Sequence, residues 1–158
     1  MKVFHSSTLK VEHPDIRFSR DFLDFGRGLY LTTMRQQAIN YANRFRLRGK
    51  TAVLNEYVLD EDIYKNCKIR SFLHYDEEWL DFVMACRKGE DTSDWDIVIG
   101  GIANDRVFRT IDLYFTGDMT KADALKKLIK EEPNNQICIR RQKLIDQYLH
   151  FLSSEELI

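Results

Sequence analysis

DFGRGLYLTT, residues 24–33, sets two glycines one residue apart ahead of a short apolar run. Gly26 and Gly28 carry no Cβ, so the backbone can turn tightly there and another chain or a ligand can come close. The run from 28 to 32 reads as a strand, and Tyr30 projects from it. The stretch is either a tight turn feeding a buried strand or one wall of a nucleotide pocket.

Working outward, Thr33 with Gln36 three residues on has the spacing of a capping box, and Ala38, Tyr41, Ala42 and Phe45 follow at helical spacing. These predict a helix of about 14 residues starting at Thr33. Upstream, KVFH (2–5) is a short strand ending at His5 and followed by Ser6 and Ser7. Downstream, 52–59 and 68–72 read as strands, and the next helix puts Trp79, Phe82, Val83 and Cys86 on one face. WDIVIGG (95–101) is a buried strand stopped by two glycines, 120–131 is a helix carrying Leu125, Leu128 and Ile129, and QICIR (136–140) is a strand. A short helix and YLHFL close the chain. Strands and helices mix without a strict alternation, which predicts an α+β fold in one domain spanning 1–158.

Composition narrows the function classes. A chain of 158 residues can bury about two-thirds of its unfolded surface in one core. Its 24 Lys+Arg against 25 Asp+Glu is the balance of an ordinary globule, not of a polyanion binder. Cys67, Cys86 and Cys138 are widely spaced and odd in number, which fits neither a disulfide framework nor a Cys-x-x-Cys motif. His5, His13, His74 and His150 have no metal-ligand spacing, so no metal is expected. GxGxxG, GxxxxGK[ST], HExxH and GxSxG are all absent. No segment approaches a membrane span, and the N-terminus lacks the apolar run of a signal peptide. The expectation is a cytoplasmic protein, or an effector delivered without a recognisable signal peptide, with no membrane partner.

Any active site must therefore be assembled from scattered segments. His5 ends a strand beside two small serines, so its ring and the backbone after it are able to face an open groove. Tyr30 on a strand and Tyr41, 11 residues later on a helix, are able to clamp a flat ring between them.

FHSS, DFGRGLYLTT and QQAINYA, in this order, resemble the core motifs of the ADP-ribosyltransferase superfamily, on the branch of diphtheria toxin and the poly(ADP-ribose) polymerases. The match is closer still to a bacterial family of small ADP-ribosyltransferase-like domains of unknown function. That likeness runs through SRDFLDFGRGLYLT, EYVLDED, EEWLDFVMACR, DIVIGGIANDR and QICIR, most of the chain. The resemblance implies a split mixed β-sheet core with surrounding helices, gripping NAD as a co-substrate in an extended cleft.

Carried over by position, the resemblance implies that His5 hydrogen-bonds the nicotinamide ribose, that the backbone at Ser6 meets the carboxamide, and that Tyr30 and Tyr41 stack on the two faces of the nicotinamide. Gly28 lies within the cofactor-binding segment. Arg20 either meets the pyrophosphate or is a solvated surface residue, and Asp105 is either a turn former or a ligand contact. The third catalytic position, a glutamate on a late strand in the larger branch, falls on Gln136. Its amide can accept from a ribose hydroxyl but carries no charge to stabilise a cation or take a proton. Glu56 and Glu132 are the next carboxylates to consider. Ala38 stands where the polymerases have a serine, which implies a carboxamide held by backbone. The expected function is NAD-dependent mono-ADP-ribosyl transfer to a protein or nucleic-acid acceptor, in a toxin or effector with a possible antitoxin or immunity partner. The alternative is a non-catalytic NAD or ADP-ribose binding module.

Overall fold

The computed structural model describes residues 1–158. The chain runs β1 (Lys2–Ser7), β2 (Leu29–Leu31), α1 (Arg35–Leu47), β3 (Ala52–Leu59), β4 (Ile69–Ser71) and α2 (Glu77–Lys88). It continues through β5 (Ile97–Gly100), α3 (Asp105–Phe115), α4 (Lys121–Leu128), β6 (Gln136–Ile139), α5 (Gln142–Tyr148) and β7 (Leu149–Leu157). This is an α+β fold, as expected. One sheet has the order β1-β3-β7 and is antiparallel; the other has the order β2-β6-β5-β4, with only β4 and β5 parallel.

The two sheets touch through their edge strands. Phe4 in β1 and Thr32 just past β2 exchange both backbone hydrogen bonds, at 2.8 and 3.0 Å, and this single bridge is the only backbone pairing between the sheets. Beyond it the strands part. In an antiparallel ladder alternate residues aim their N–H and C=O to the same side, so Ser6 follows Phe4 in turning these groups toward β2. The partner position is Tyr30, but its carbonyl is taken by the His5 ring, Nδ1 lying 2.9 Å from the oxygen. The ladder ends there, with the imidazole on the acceptor that the Ser6 N–H would need to continue it.

Two apolar clusters hold the halves. Val3, Leu29, Leu31, Tyr57, Leu59, Ile97 and Ile139 knit the two sheets beneath the bridge. Phe25, Phe72, Trp79, Val83, Val98, Val107, Ile111 and Leu128 pack α2, α3 and α4 on the other face of the second sheet. Phe25, from the opening motif, is fully buried there.

Several sequence expectations change in detail. The helix after β2 begins at Arg35, and its cap residue Met34 makes no side-chain cap. Thr33 instead donates its N–H and hydroxyl to the side-chain carbonyl of Asn135, at 3.2 and 3.3 Å, so a contact to the loop before β6 displaces the expected capping box. The helix expected over 120–131 is shorter, ending at Leu128. Asp105, either a turn former or a ligand contact by sequence, opens a helix not anticipated from the sequence, α3, and Asn104 caps it by accepting from the N–H groups of Arg106 and Val107. The closing strand runs on to Leu157, paired along its length with β3.

Candidate functional site

A cleft of about 1010 Å³ opens where β1 and β2 part. His5, Ser6, Arg20, Gly28, Tyr30, Tyr41 and Gln136, the catalytic and cofactor-binding candidates of the sequence, all line it, whereas Asp105 does not. Residues 9–23 form one wall, α1 forms the opposite one, and β1, β2 and the start of β6 make the floor.

His5 is half-buried on the floor. A carbonyl oxygen can only accept, so Nδ1 carries the proton it gives to Tyr30, and Nε2 is left as an acceptor. Burial lowers its pKa, the bond to the Tyr30 carbonyl opposing this in part, so the ring is neutral at neutral pH. Ser6, on the opposite face of the strand, donates its hydroxyl to the carbonyl of Ala38 at 2.5 Å. Its side chain is thereby occupied with α1, and what it offers the cleft is its backbone edge.

The Tyr30 hydroxyl donates to Gly26 O at 2.6 Å and accepts from Phe25 N–H at 3.1 Å, and the ring lies offset over Phe25 with centroids 6.4 Å apart. Burial raises its pKa well above the ordinary value, so it stays a donor. The glycines of the motif answer first to the fold. Gly26 sits at φ +74°, where a side chain is strained. A Cβ on Gly28 would lie 2.6 Å from Cys138 Sγ and 2.8 Å from Ile139 O. Strand β6, not a ligand, is the partner whose close approach Gly28 permits. Asp24 is likewise structural: Oδ1 accepts from both Nε and Nη2 of Arg87, at 2.9 and 2.5 Å, and Oδ2 from Ala103 N–H at 2.7 Å.

Gln136, the first residue of β6, is only 9% exposed, yet its side-chain amide has no hydrogen-bond partner in the protein. No polar side-chain atom in the fold is both sealed from solvent and unpaired, so this amide keeps its access to the cleft it lines. Its backbone is held firmly. Gln37 of α1 donates to Asn135 O at 2.7 Å and accepts from Asn135 N–H at 3.0 Å, a two-bond clasp on the preceding residue. Sequence reasoning passed over Gln37, although it occupies the face of α1 that carries Tyr41 one turn later.

The 9–23 wall is pinned from below. The Asn55 side chain accepts from Val11 N–H at 2.9 Å and donates to Leu9 O at 3.2 Å; the Tyr57 hydroxyl donates to Val11 O at 2.5 Å. Gln142 accepts from Ile16 N–H and donates to Pro14 O, both at 2.9 Å. Arg20 stands exposed on this wall with no carboxylate partner. Opposite, Tyr41 is 43% exposed, with the Arg44 guanidinium 5.1 Å from its ring centre and Phe45 edge-on.

Carboxylates are scarce. Glu12 and Asp15 line the cleft, paired with Lys10 and Arg17, whose hydrogen bonds hold both acids below their ordinary range. Glu56 is paired with Lys2, and neither it nor Glu132 reaches the cleft. Asp105 is exposed at the start of α3, paired with Arg44. Burial pushes the Cys138 thiol up to about 12, which leaves it inert. No three His, Cys, Asp or Glu side chains converge as metal ligands, and no helix is long and apolar enough to cross a membrane.

Neither the curated proteins nor the solved structures give a match to this chain. The family described as "Protein of unknown function (DUF3990)" matches residues 1–151, which include every residue of the cleft, and the chain belongs to that family.

Proposed function

We propose that the protein is an NAD-dependent mono-ADP-ribosyltransferase with a split sheet of the ADP-ribosyltransferase type, and that the cleft binds the nicotinamide half of NAD. The single observation carrying this reading is the convergence of His5 Nε2, the free edge of Ser6 and the unpartnered Gln136 amide on one floor. Nicotinamide riboside presents complementary groups: a carboxamide for the Ser6 N–H and C=O, and ribose hydroxyls that donate to His5 Nε2 and the Gln136 carbonyl. Tyr30 and Tyr41 supply aromatic surface for the cationic ring, worth about 1 kcal/mol per face. Arg20 offers a fork to the pyrophosphate.

In the reaction the bond between the ribose anomeric carbon and the nicotinamide nitrogen breaks, and nicotinamide leaves with the bonding pair. An acceptor atom then bonds to that carbon, its proton passing to solvent. Gln136 acts through the oriented dipole of its carbonyl against the positive charge that develops on the ribose. With no free carboxylate to activate a second ribose hydroxyl, transfer stops at one ADP-ribose.

The same scarcity favours a second reading, a binding module for NAD or ADP-ribose without turnover, since both cleft carboxylates are held in ion pairs. Incubating the pure protein with NAD and measuring nicotinamide separates the two. Release that requires a cell lysate marks a transferase, release in buffer a glycohydrolase, and none under either condition the binding module. NAD and nicotinamide mimics should also raise the melting temperature through linkage. No shift at millimolar ligand sinks both readings. His5→Ala and Tyr41→Ala should weaken binding, and Tyr41→Trp should keep it.

A further inference from the structure

The cleft-facing side of α1 extends beyond the residues that the NAD reading uses. Tyr41, Arg44, Phe45 and Arg48 follow one another at i, i+3, i+4 and i+7, so they share one helix face, and all four line the cleft. Arg44 lies over the Tyr41 ring and Phe45 meets that ring edge-on at 81°. Arg48 has no carboxylate partner, and neither has Arg20 on the facing wall.

The surrounding sequence reinforces the charge. From Phe25 to Asn55 there are six cations and no carboxylate, which leaves eighteen Lys+Arg against all 25 Asp+Glu elsewhere. The near-zero net charge is thus the sum of a basic segment centred on α1 and an acidic remainder. Glu12 and Asp15 on the cleft rim are matched by Lys10 and Arg17; Arg27, Arg35 and Arg44 meet the exposed Asp21, Glu155 and Asp105, and Arg46, Arg48 and Lys50 have no carboxylate partner.

We propose that this face of α1 is a docking surface for single-stranded nucleic acid. Its phosphates meet Arg20, Arg44 and Arg48, and its bases stack on Tyr41 and Phe45. Guanidinium forks alternating with the exposed Tyr41 ring and the half-buried Phe45 ring fit a strand that offers anions and flat faces together. A duplex offers the anions but hides its base faces, and an acidic protein segment satisfies the arginines while leaving the rings unused. The Tyr41–Arg48 stripe spans about 10 Å, so a short strand laid along it leads into the cleft. This binding requires no NAD and stands independently of the transferase reading.

The test is fluorescence anisotropy of a short labelled oligothymidylate with the full chain in the absence of NAD. Binding should appear at low salt and weaken roughly tenfold between about 50 and about 200 mM salt, as release of a few counterions demands. Arg48→Glu and Tyr41→Ala should each weaken it roughly tenfold while melting as the parent does, and Lys126→Glu, the same charge change on exposed α4, should leave it intact. The proposal is overturned if the oligonucleotide fails to bind at low salt or if Arg48→Glu binds as the parent does. It is overturned equally if a duplex of the same sequence or polyglutamate competes as well as unlabelled single strand. A melting-temperature shift with a nicotinamide mimic, measured on the same samples, reports the NAD reading separately: its absence alongside oligonucleotide binding removes that reading and leaves this one.

Discussion

Asp24 and Gln136 are both polar, both largely withdrawn from water and both tied to the segments that shape the cleft, but their surroundings differ completely. Asp24 receives three hydrogen bonds from two directions and joins the motif loop to α2 and to the chain before α3. Gln136 has a backbone fixed by the Gln37 clasp on its neighbour and a side chain with no partner. A polar group that is buried and saturated stabilises the fold, whereas one that is buried and open toward a cavity is reserved for something that enters it. Of the two, only Gln136 has the character of a ligand contact.

Mutation should separate them sharply. Asp24→Ala strands the Arg87 guanidinium, largely enclosed beside Phe108, and should cost about 3–5 kcal/mol in urea unfolding. A loss under 1 kcal/mol would show that the ion pair is replaceable and weaken the contrast. Gln136→Ala should leave the urea midpoint near the parent's while nicotinamide release falls about a hundredfold, an effect on turnover rather than affinity. Gln136→Glu should preserve or raise that release. Full turnover in Gln136→Ala would move the third position elsewhere, to Glu12 or Asp15, the acids that line the cleft.

Gly28→Ala tests whether the motif serves strand packing or ligand access. With backbone oxygen and sulfur both under 3 Å from the added carbon, it should destabilise by about 1–3 kcal/mol with or without ligand. A variant of parental stability with weakened NAD binding would return this glycine to the ligand.

A smaller effect concerns His5. Its folded pKa lies below the ordinary 6.5, so as pH falls through about 6.5 the unfolded chain takes up a proton that the folded one refuses. Stability is therefore fully present above that value and declines below it. The depressed carboxylates Asp15 and Asp91 act in a separate window, below about 4. Between about pH 7 and about pH 5 the melting temperature of the parent should approach that of His5→Gln, which does not titrate there. A gap constant with pH would show that His5 stays uncharged in both states or charged in both. The smallest expected effect is none: chelator and reductant should leave nicotinamide release unchanged, and loss with chelator would overturn the site.

The sequence was most informative where a residue's role is local. The strand-forming residues of β3, which alternate only weakly, and the stripe of Trp79, Val83 and Cys86 in α2 declare their elements locally. Long-range roles leave no such trace. Thr33 has the spacing of a cap but binds Asn135, about a hundred residues away, and nothing near Asn55, Tyr57 or Gln142 announces that they pin the 9–23 wall. α3 carried a readable signal in Val107, Ile111 and Tyr114 at helical spacing behind the capping Asn104. The polar end of β7 is strand because β3 offers it a backbone edge, a cause outside its own sequence. The cleft residues were legible as motifs, but the free amide of Gln136 emerges only when every neighbour is counted.

The imidazole that holds the Tyr30 carbonyl bears on association. Without a side chain claiming the Tyr30 carbonyl, β1 and β2 could continue their ladder and zip the two sheets into one, closing the groove in the empty protein. Each arriving ligand would then have to peel strands apart, at the expense of affinity and of speed. Under the proposed reading, a ring that keeps this carbonyl from Ser6 would let the empty protein meet NAD in the receiving shape, and the histidine would act as a doorstop before any hand it takes in chemistry.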